Sequence, residues 1–132
     1  MTAERPGSAD GLRSALTALL AAELPAAVEL RHELHRYPEL SGAEARTAAT
    51  AAAALGAPDA VDAGSTTMAG TVVANTGRLI RIGPPAGPAI AIRAELDALP
   101  ITEETGAAWS SVTGAMHACG HDVHLAALAA LG

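Results

Sequence analysis

Apolar residues in the N-terminal part of the chain recur at helical spacing. Leucines lie at positions 12, 16, 19, 20 and 24, and the pattern resumes at Leu30 after Pro25. Because proline lacks the backbone N–H that an interior helical residue donates, the pattern predicts two consecutive helices or one kinked helix. We expect Pro38 to end this helical region.

A second helix is predicted after residue 41 from its terminal residues. Ser41 and Glu44 have the spacing of a capping box, alanines follow, and Gly56 lies where a left-handed residue would end the helix. The alanine side chains are small, so we expect this helix to lie close to a sheet.

Between Val61 and Glu95 the pattern changes to short runs rich in β-branched residues. The segments GTVVAN and RLIRIG flank a turn that contains Asn75 and Gly77, which predicts a hairpin. Residues 89–92 are apolar at every position, as is typical of a central strand covered on both faces. With a further helix predicted from about Asp122, the order of elements indicates an α/β fold.

The 132-residue length suits one domain, but the apolar content is largely alanine. The chain has no Phe, one Trp and one Tyr, so little side-chain volume is present to fill a core. The final segment, HLAALAALG, ends within an apolar helical pattern. We therefore expect residues 1–132 to form an incomplete domain that leaves apolar surface exposed.

Charge and cysteine content exclude several classes of function. The net charge is −6, all eight basic residues are arginine, and neither sign forms a run, which argues against nucleic acid as a partner. The absence of lysine excludes Schiff-base chemistry and a phosphate-binding Gly-Lys loop. Cys119 cannot form an internal disulfide, and the N-terminal apolar stretch is short and interrupted by Thr17 and Glu23. We expect a cytoplasmic protein without a membrane partner.

The segment GAMHACGHDVHLAAL concentrates three imidazoles, one thiol and one carboxylate. Only Gly120 separates Cys119 from His121, so the backbone can turn and bring thiolate and imidazole to one point. These groups suit zinc and other late divalent metals. Asp122 is expected to cap the following helix or to hold the ring N–H of a ligand histidine.

Two further segments carry ionisable groups. In RAELDALP, Glu95 and Asp97 follow the predicted central strand, where α/β proteins commonly place their sites. Asp97 would then orient a ligand histidine, and the alternative is that both carboxylates are solvated loop charges. In RHELHRYPELS, His32 and His35 share a helix face but lack the spacing of the zinc motif H-E-x-x-H, so we expect a packing role.

Three segments in this order, RHELHRYPELSGAE, AIAIRAELDALPITEETG and GAMHACGHDVHLAAL, resemble the N-terminal part of a family of metal-dependent amidohydrolases and metallopeptidases. This family includes hippurate hydrolase, N-acyl-amino-acid deacylases and indole-acetyl-amino-acid hydrolases. The resemblance implies part of a zinc-peptidase-like catalytic domain, with helices packed on a mixed sheet. It also implies that the C-terminal remainder and an inserted dimerisation or lid domain are absent.

The resemblance implies a two-metal site that hydrolyses the amide bond of N-acyl amino acids. Cys119 and His121 match metal ligands, Asp97 matches a catalytic aspartate that supports the metals, and His117 and Asp122 match residues around the ligands. Zinc and manganese are expected ahead of cobalt and nickel. The oligomeric state stays open, and a homo-oligomer is one option for the full-length protein.

The chain departs from the family pattern at Glu95 and Leu96, where an aspartate and a methionine are usual. The family's glutamate base and its remaining ligands match no residue of this chain, so we expect the chain alone to be inactive.

Two alternatives to the amidohydrolase stay open. One is a thiol enzyme with Cys119 as nucleophile and His117, His121 or His124 as base. The other is a self-contained metal-binding module that uses Cys119 and the same three histidines.

Overall fold

The structure is a computed structural model that describes residues 8–57, 71–84 and 86–132. It contains three helices and one hairpin in these described ranges. In chain order the elements are α1 (Ala9–Arg36), α2 (Ala45–Ala54), β1 (Thr71–Val73), β2 (Gly77–Leu79) and α3 (His121–Ala129).

Helix α1 continues through Pro25, so of the two predicted alternatives the chain forms one helix and not two. The leucines and alanines around this proline have high helix propensity, which offsets the backbone hydrogen bond that it cannot donate. At the start of the helix, the Ser8 hydroxyl accepts a hydrogen bond from the Gly11 N–H at 3.0 Å. The helix ends at Arg36, two residues before Pro38, as predicted.

The 28-residue helix α1 is long and apolar enough to cross a membrane by length and composition. Its N-terminal half is exposed, whereas Leu34 and His35 near its C-terminus are buried. A signal sequence or a helix of a water-soluble domain has the same length and composition. The absence of a membrane partner therefore stays a prediction.

The predicted capping box at the start of α2 is wrong. The N-cap residue is Glu44, and its own side chain makes no capping hydrogen bond. The first turn is capped instead by the Glu39 carboxylate, which accepts from the N–H groups of Arg46 and Thr47 at 3.3 and 2.7 Å. The Glu44 carboxylate accepts a hydrogen bond from the Thr76 hydroxyl at 2.7 Å, which is a tertiary contact with the hairpin. Burial opposes this charge, but the hydrogen bond from Thr76 contributes to a lowered pKa of Glu44.

The predicted C-terminus of α2 is confirmed. Gly56 has a φ of +70°. Its N–H donates to the Ala53 carbonyl at 3.0 Å, and the Ala57 N–H donates to the Ala52 carbonyl at 2.9 Å. This pair of hydrogen bonds is the Schellman arrangement, which favours glycine at the left-handed position.

The predicted hairpin is also confirmed. Strands β1 and β2 are antiparallel, with Thr71 opposite Leu79 and Val73 opposite Gly77. The turn residues Ala74 and Asn75 have φ values of +48° and +74°. A side chain at Gly77 would place its Cβ 2.9 Å from the Val73 carbonyl oxygen, so the pairing requires glycine at this position.

The predicted central strand at residues 89–92 is wrong in this structure. No strand forms there within the described ranges, and Ile90 and Ile92 are 92% and 61% exposed. The two-stranded hairpin likewise takes the place of the predicted mixed sheet. A central strand needs a paired strand on each side and cover on both faces. The described residues provide neither here, so the apolar pattern stays unburied.

The core is small, as the alanine-rich composition predicts. Leu34, Ala51 and Leu125 form its buried cluster, contributed by α1, α2 and α3. A groove of about 610 Å³ between α1 and α3 exposes apolar side chains that include Leu24 and Val123. The expectation of exposed apolar surface is thus confirmed.

Backbone hydrogen bonds draw three distant segments together beside this core. The Ala98 N–H donates to the Glu39 carbonyl at 2.8 Å. Leu99 and Met116 exchange two hydrogen bonds, of 3.0 and 2.9 Å. Residue 97 is therefore placed beside the segment that leads into α3.

A buried charged network, which we call the His35 cluster, consists of Arg31, His35, Glu103 and Asp122. His35 Nδ1 lies 2.8 Å from Asp122 Oδ2, and His35 Nε2 lies 3.2 Å from Glu103 Oε2. Arg31 Nε donates to Asp122 Oδ2 at 2.8 Å. The side chains of His35, Glu103 and Asp122 are at most 4% exposed. The predicted packing role of His35 is confirmed, and the packing is polar.

Glu103 stays ionised inside this cluster. Burial favours the neutral acid, but hydrogen bonds from the Ser111 N–H, the Thr105 hydroxyl and His35 outweigh it and lower the pKa of Glu103 from 4.5 to about 2. The Ser111 N–H donates to Glu103 Oε2 at 2.6 Å. The carboxylate thereby ties the 103–111 loop to α1.

Replacing Gly56 by alanine is expected to lower the free energy of unfolding by about 1 kcal/mol, because a Cβ is disfavoured in the left-handed conformation. Nothing within 4 Å would contact that Cβ, so backbone strain is the sole cost. Urea unfolding measures the change. Gly11→Ala, the same substitution inside α1, is the control and should cause no loss. Equal stability of Gly56→Ala and the parent would contradict the assigned conformation.

The Glu103→Gln variant is expected to lose about 2 kcal/mol of stability at pH 7, because a charged acceptor of buried hydrogen bonds is removed. A lowered pKa in the fold means that the carboxylate's contribution is complete above about pH 4.5 and is lost as the pH falls towards about 2. Urea unfolding between pH 2.5 and 6 should therefore show a shallower acid decline in the variant. Parallel declines in parent and variant would contradict the ionised state of Glu103.

Candidate metal centre

The turn between Cys119 and His121 has the geometry that the sequence predicts. Gly120 has a left-handed conformation, with a φ of +78°, and α3 begins at the next residue. The N–H groups of Val123 and His124 donate to the Gly120 carbonyl at 3.0 and 3.1 Å. Cys119 precedes this first turn and is exposed. Its thiol is thus accessible to a ligand from solvent.

Asp97 contacts the ring of His121 through both its backbone and its side chain. His121 Nδ1 lies 2.8 Å from the Asp97 carbonyl oxygen and 3.1 Å from Asp97 Oδ1. An N–H on Nδ1 leaves Nε2 as the nitrogen with a free lone pair. Metal-binding histidines are commonly held in this way by a carbonyl or a carboxylate. Asp97 is therefore not a solvated loop charge.

The donor set fits a divalent metal in its chemistry, although it is small. An exposed thiol and a pre-oriented imidazole are ligands that zinc and its neighbours accept. Within the described residues, no group of three or more His, Cys, Asp or Glu side chains is arranged to hold a metal. Cys119 and His121 would thus supply two ligands of a larger coordination sphere.

His124 and Glu95 form a second, more exposed pair beside His121. His124 Nδ1 lies 3.5 Å from Glu95 Oε2, and the rings of His121 and His124 are 6.1 Å apart. Hydrogen bonding from its own backbone N–H lowers the pKa of Glu95, with further contributions from Arg93 and His124. Glu95 therefore adds negative charge next to the two histidines.

His117 is buried, with 4% of its surface exposed, and neither ring nitrogen has a hydrogen-bond partner among the described residues. Burial lowers the pKa of His117, the Asp122 carboxylate opposes this effect, and the nearby His35 and His121 add to it. The lowered pKa favours the neutral ring. His117 lies next to the candidate ligands in the chain, but it faces the interior.

The expectation for Asp122 is wrong in detail. It neither caps α3 nor contacts the ring of His121. Its carboxylate is fully buried and bonds to Arg31 and His35 of α1, because the start of α3 packs against that helix. Sequence analysis missed Arg31 and Glu103. Arg31 and His35 lie four residues apart on α1, and this spacing is the local signal that could have indicated a shared polar face.

The geometry supports neither alternative left open by the sequence. In the described part of the chain no hydrogen bond joins the Cys119 thiol to an imidazole, as a thiol enzyme would require. A self-contained module would need His117 and His124 at one point. His117 is buried, whereas the His124 side chain is 58% exposed.

Comparison with known proteins agrees with the resemblance seen in the sequence. Residues 91–132 match the model of Peptidase family M20/M25/M40. The N-acetyl-L-cysteine deacetylase of Bacillus subtilis is 43% identical over 102 residues, which cover 76% of this chain and 23% of that protein. The N-acetyldiaminopimelate deacetylase of Halalkalibacterium halodurans is 38% identical over 103 residues, which cover 76% of this chain and 26% of that protein.

A solved structure shows the same relationship in three dimensions. The crystal structure of the Bacillus subtilis YXEP protein, described as a dinuclear metal binding peptidase from the M20 family, superposes with a TM-score of 0.67 at 36% identity. The match covers 83% of this chain and 30% of that protein. The chain spans about a quarter of the length of the curated relatives it matches. Within that span, the chain belongs to the M20 family of peptidases and amidohydrolases.

Proposed function

We propose that this chain supplies two metal ligands, Cys119 and His121, to a metal-dependent amidohydrolase that cleaves N-acyl amino acids. The main support is the contact of His121 Nδ1 with the carbonyl oxygen and with Oδ1 of Asp97, next to the exposed thiol of Cys119. This arrangement lies inside the segment that matches the M20 family. The deacetylase names of two relatives support the substrate class.

In this proposal, residues 1–132 form part of a catalytic domain, and the other ligands and the general base come from outside the described residues. Two divalent ions, zinc or manganese first, supply Lewis-acid polarisation of the amide carbonyl and activation of water when bound. Asp97 fixes the tautomer and orientation of His121. The complete enzyme would be cytoplasmic, and the 132-residue chain alone would be inactive.

The Asp97→Asn variant is expected to weaken Co(II) binding about tenfold, the lower end of the range for residues that hold a metal ligand. The effect stays at that end because the Asp97 carbonyl, which also contacts His121 Nδ1, is retained. The absorbance of the thiolate–cobalt complex, followed during a titration, gives the affinity. Glu95→Gln is the matched control because Glu95 contacts His124 instead. Equal affinities in the three proteins would exclude the orienting role of Asp97.

Amidase activity should appear on hippurate or N-acetyl amino acids only when the chain is lengthened through its downstream reading frame. We expect that activity to require added metal and to fall at least a hundredfold in Cys119→Ala, because the thiolate ligand is lost.

Two results would contradict the amidohydrolase proposal and favour one of its alternatives. Activity blocked by thiol alkylation but indifferent to chelators would favour the thiol enzyme. Tight binding of one metal by the 132-residue chain, with folding around it, would favour the binding module.

A further inference from the structure

The first turn of α3 carries a candidate metal ligand but has no side-chain cap. Its N-cap residue is Gly120, which offers no hydroxyl or carboxylate, and no side chain in the described part of the chain accepts from the first N–H groups. The position of this turn must therefore depend on contacts made by the residues inside it.

Asp122 makes the buried polar contacts that join that turn to α1. It directly follows His121, has no exposed surface, and its Oδ2 lies 2.8 Å from both Arg31 Nε and His35 Nδ1. Both partners belong to the C-terminal part of α1. These contacts join the start of α3 to a helix about 90 residues earlier in the chain.

His35 lies between two buried carboxylates. Its Nδ1 faces Asp122, and its Nε2 faces Glu103 at 3.2 Å. Glu103 is held independently by the Ser111 N–H and the Thr105 hydroxyl. Loss of the imidazole would leave the two buried carboxylates without the ring that lies between them, and burial makes such an arrangement costly. Asp122, which has one other partner in the cluster, would then be the carboxylate to move.

We propose that His35 is a positioning residue for the metal centre: by holding Asp122, it fixes the first turn of α3 and with it the geometry of Cys119 and His121. The proposal rests on the proposed function for the identity of the ligands. Glu103 acts on the metal centre indirectly, because it contacts Nε2 on the other side of the His35 ring and so helps to orient His35.

The experiment compares His35→Gln with His32→Gln in the purified protein. His32 lies one turn earlier on α1 and stacks on Trp109 at 4.1 Å, outside the His35 cluster, so it is a matched control for the same substitution. Co(II) titration reports the affinity, and the thiolate-to-cobalt charge-transfer band reports the geometry at Cys119. Amide hydrogen exchange at residues 123–125 reports the order of the first turn of α3 without metal.

We expect His35→Gln to weaken Co(II) binding about tenfold, to shift the charge-transfer band and to speed exchange at residues 123–125. His32→Gln should match the parent in all three measurements. Asp122→Asn should weaken Co(II) binding as His35→Gln does, and the double variant should lose little more than either alone, because both changes remove one interaction.

The proposal is overturned if His35→Gln has the Co(II) affinity, charge-transfer band and exchange rates of the parent. It is also overturned if His32→Gln loses as much Co(II) affinity as His35→Gln, or if the losses of affinity add up in the double variant. If His35→Gln does not fold, Glu103→Gln decides by the same measurements, with smaller changes in the same direction expected. Absence of a thiolate band in the parent would overturn the proposed ligation instead. Exchange at residues 123–125 then still tests whether His35 holds α3.

Discussion

The contact between His35 and Asp122 sets the relation of the two helices on which the candidate site depends. It joins the last turns of α1 to the first turn of α3 across 87 positions of sequence, and both side chains are almost fully buried. Among the described residues, the apolar cluster beside it has three buried members, two leucines and an alanine. Small apolar side chains specify the relative position of two helices weakly, whereas a buried hydrogen bond tolerates little displacement. The His35 cluster therefore fixes much of the position of α3 relative to α1.

A second constraint acts on the opposite side of the site. The hydrogen bonds from Ala98 to Glu39 and between Leu99 and Met116 use backbone atoms only. They place Asp97 beside α3 whatever side chains these residues carry. His121 is consequently held twice, through its backbone by the turn that Asp122 anchors and through its ring by Asp97. The two constraints come from different segments, so a change in one leaves the other in place.

The features that the sequence predicted correctly are those with local causes. The left-handed Gly56, the hairpin turn and the end of α1 before Pro38 each follow from a backbone preference within a few residues. The errors involve partners distant in sequence. Glu44 bonds to Thr76 instead of capping α2, and Asp122 bonds to α1 instead of capping α3. A side chain that could cap a helix equally well serves a tertiary contact, and only the fold decides between the two.

Residues 89–92 lack burial, and the candidate donor pair of Cys119 and His121 lacks further ligands; both features have a common structural explanation. Ile90 and Ile92 have the apolar character of a covered strand, yet they are exposed in the described structure. Cys119 and His121 have the chemistry of metal ligands, yet a tetrahedral metal needs four ligands and no third donor joins them among the described residues. Sites in α/β proteins lie where strands end, so the same paired strands that would cover residues 89–92 would also end near Asp97. In the proposed enzyme, donors at the ends of such strands would complete the coordination sphere, because one sheet would then both bury the apolar positions and bring the ligands together.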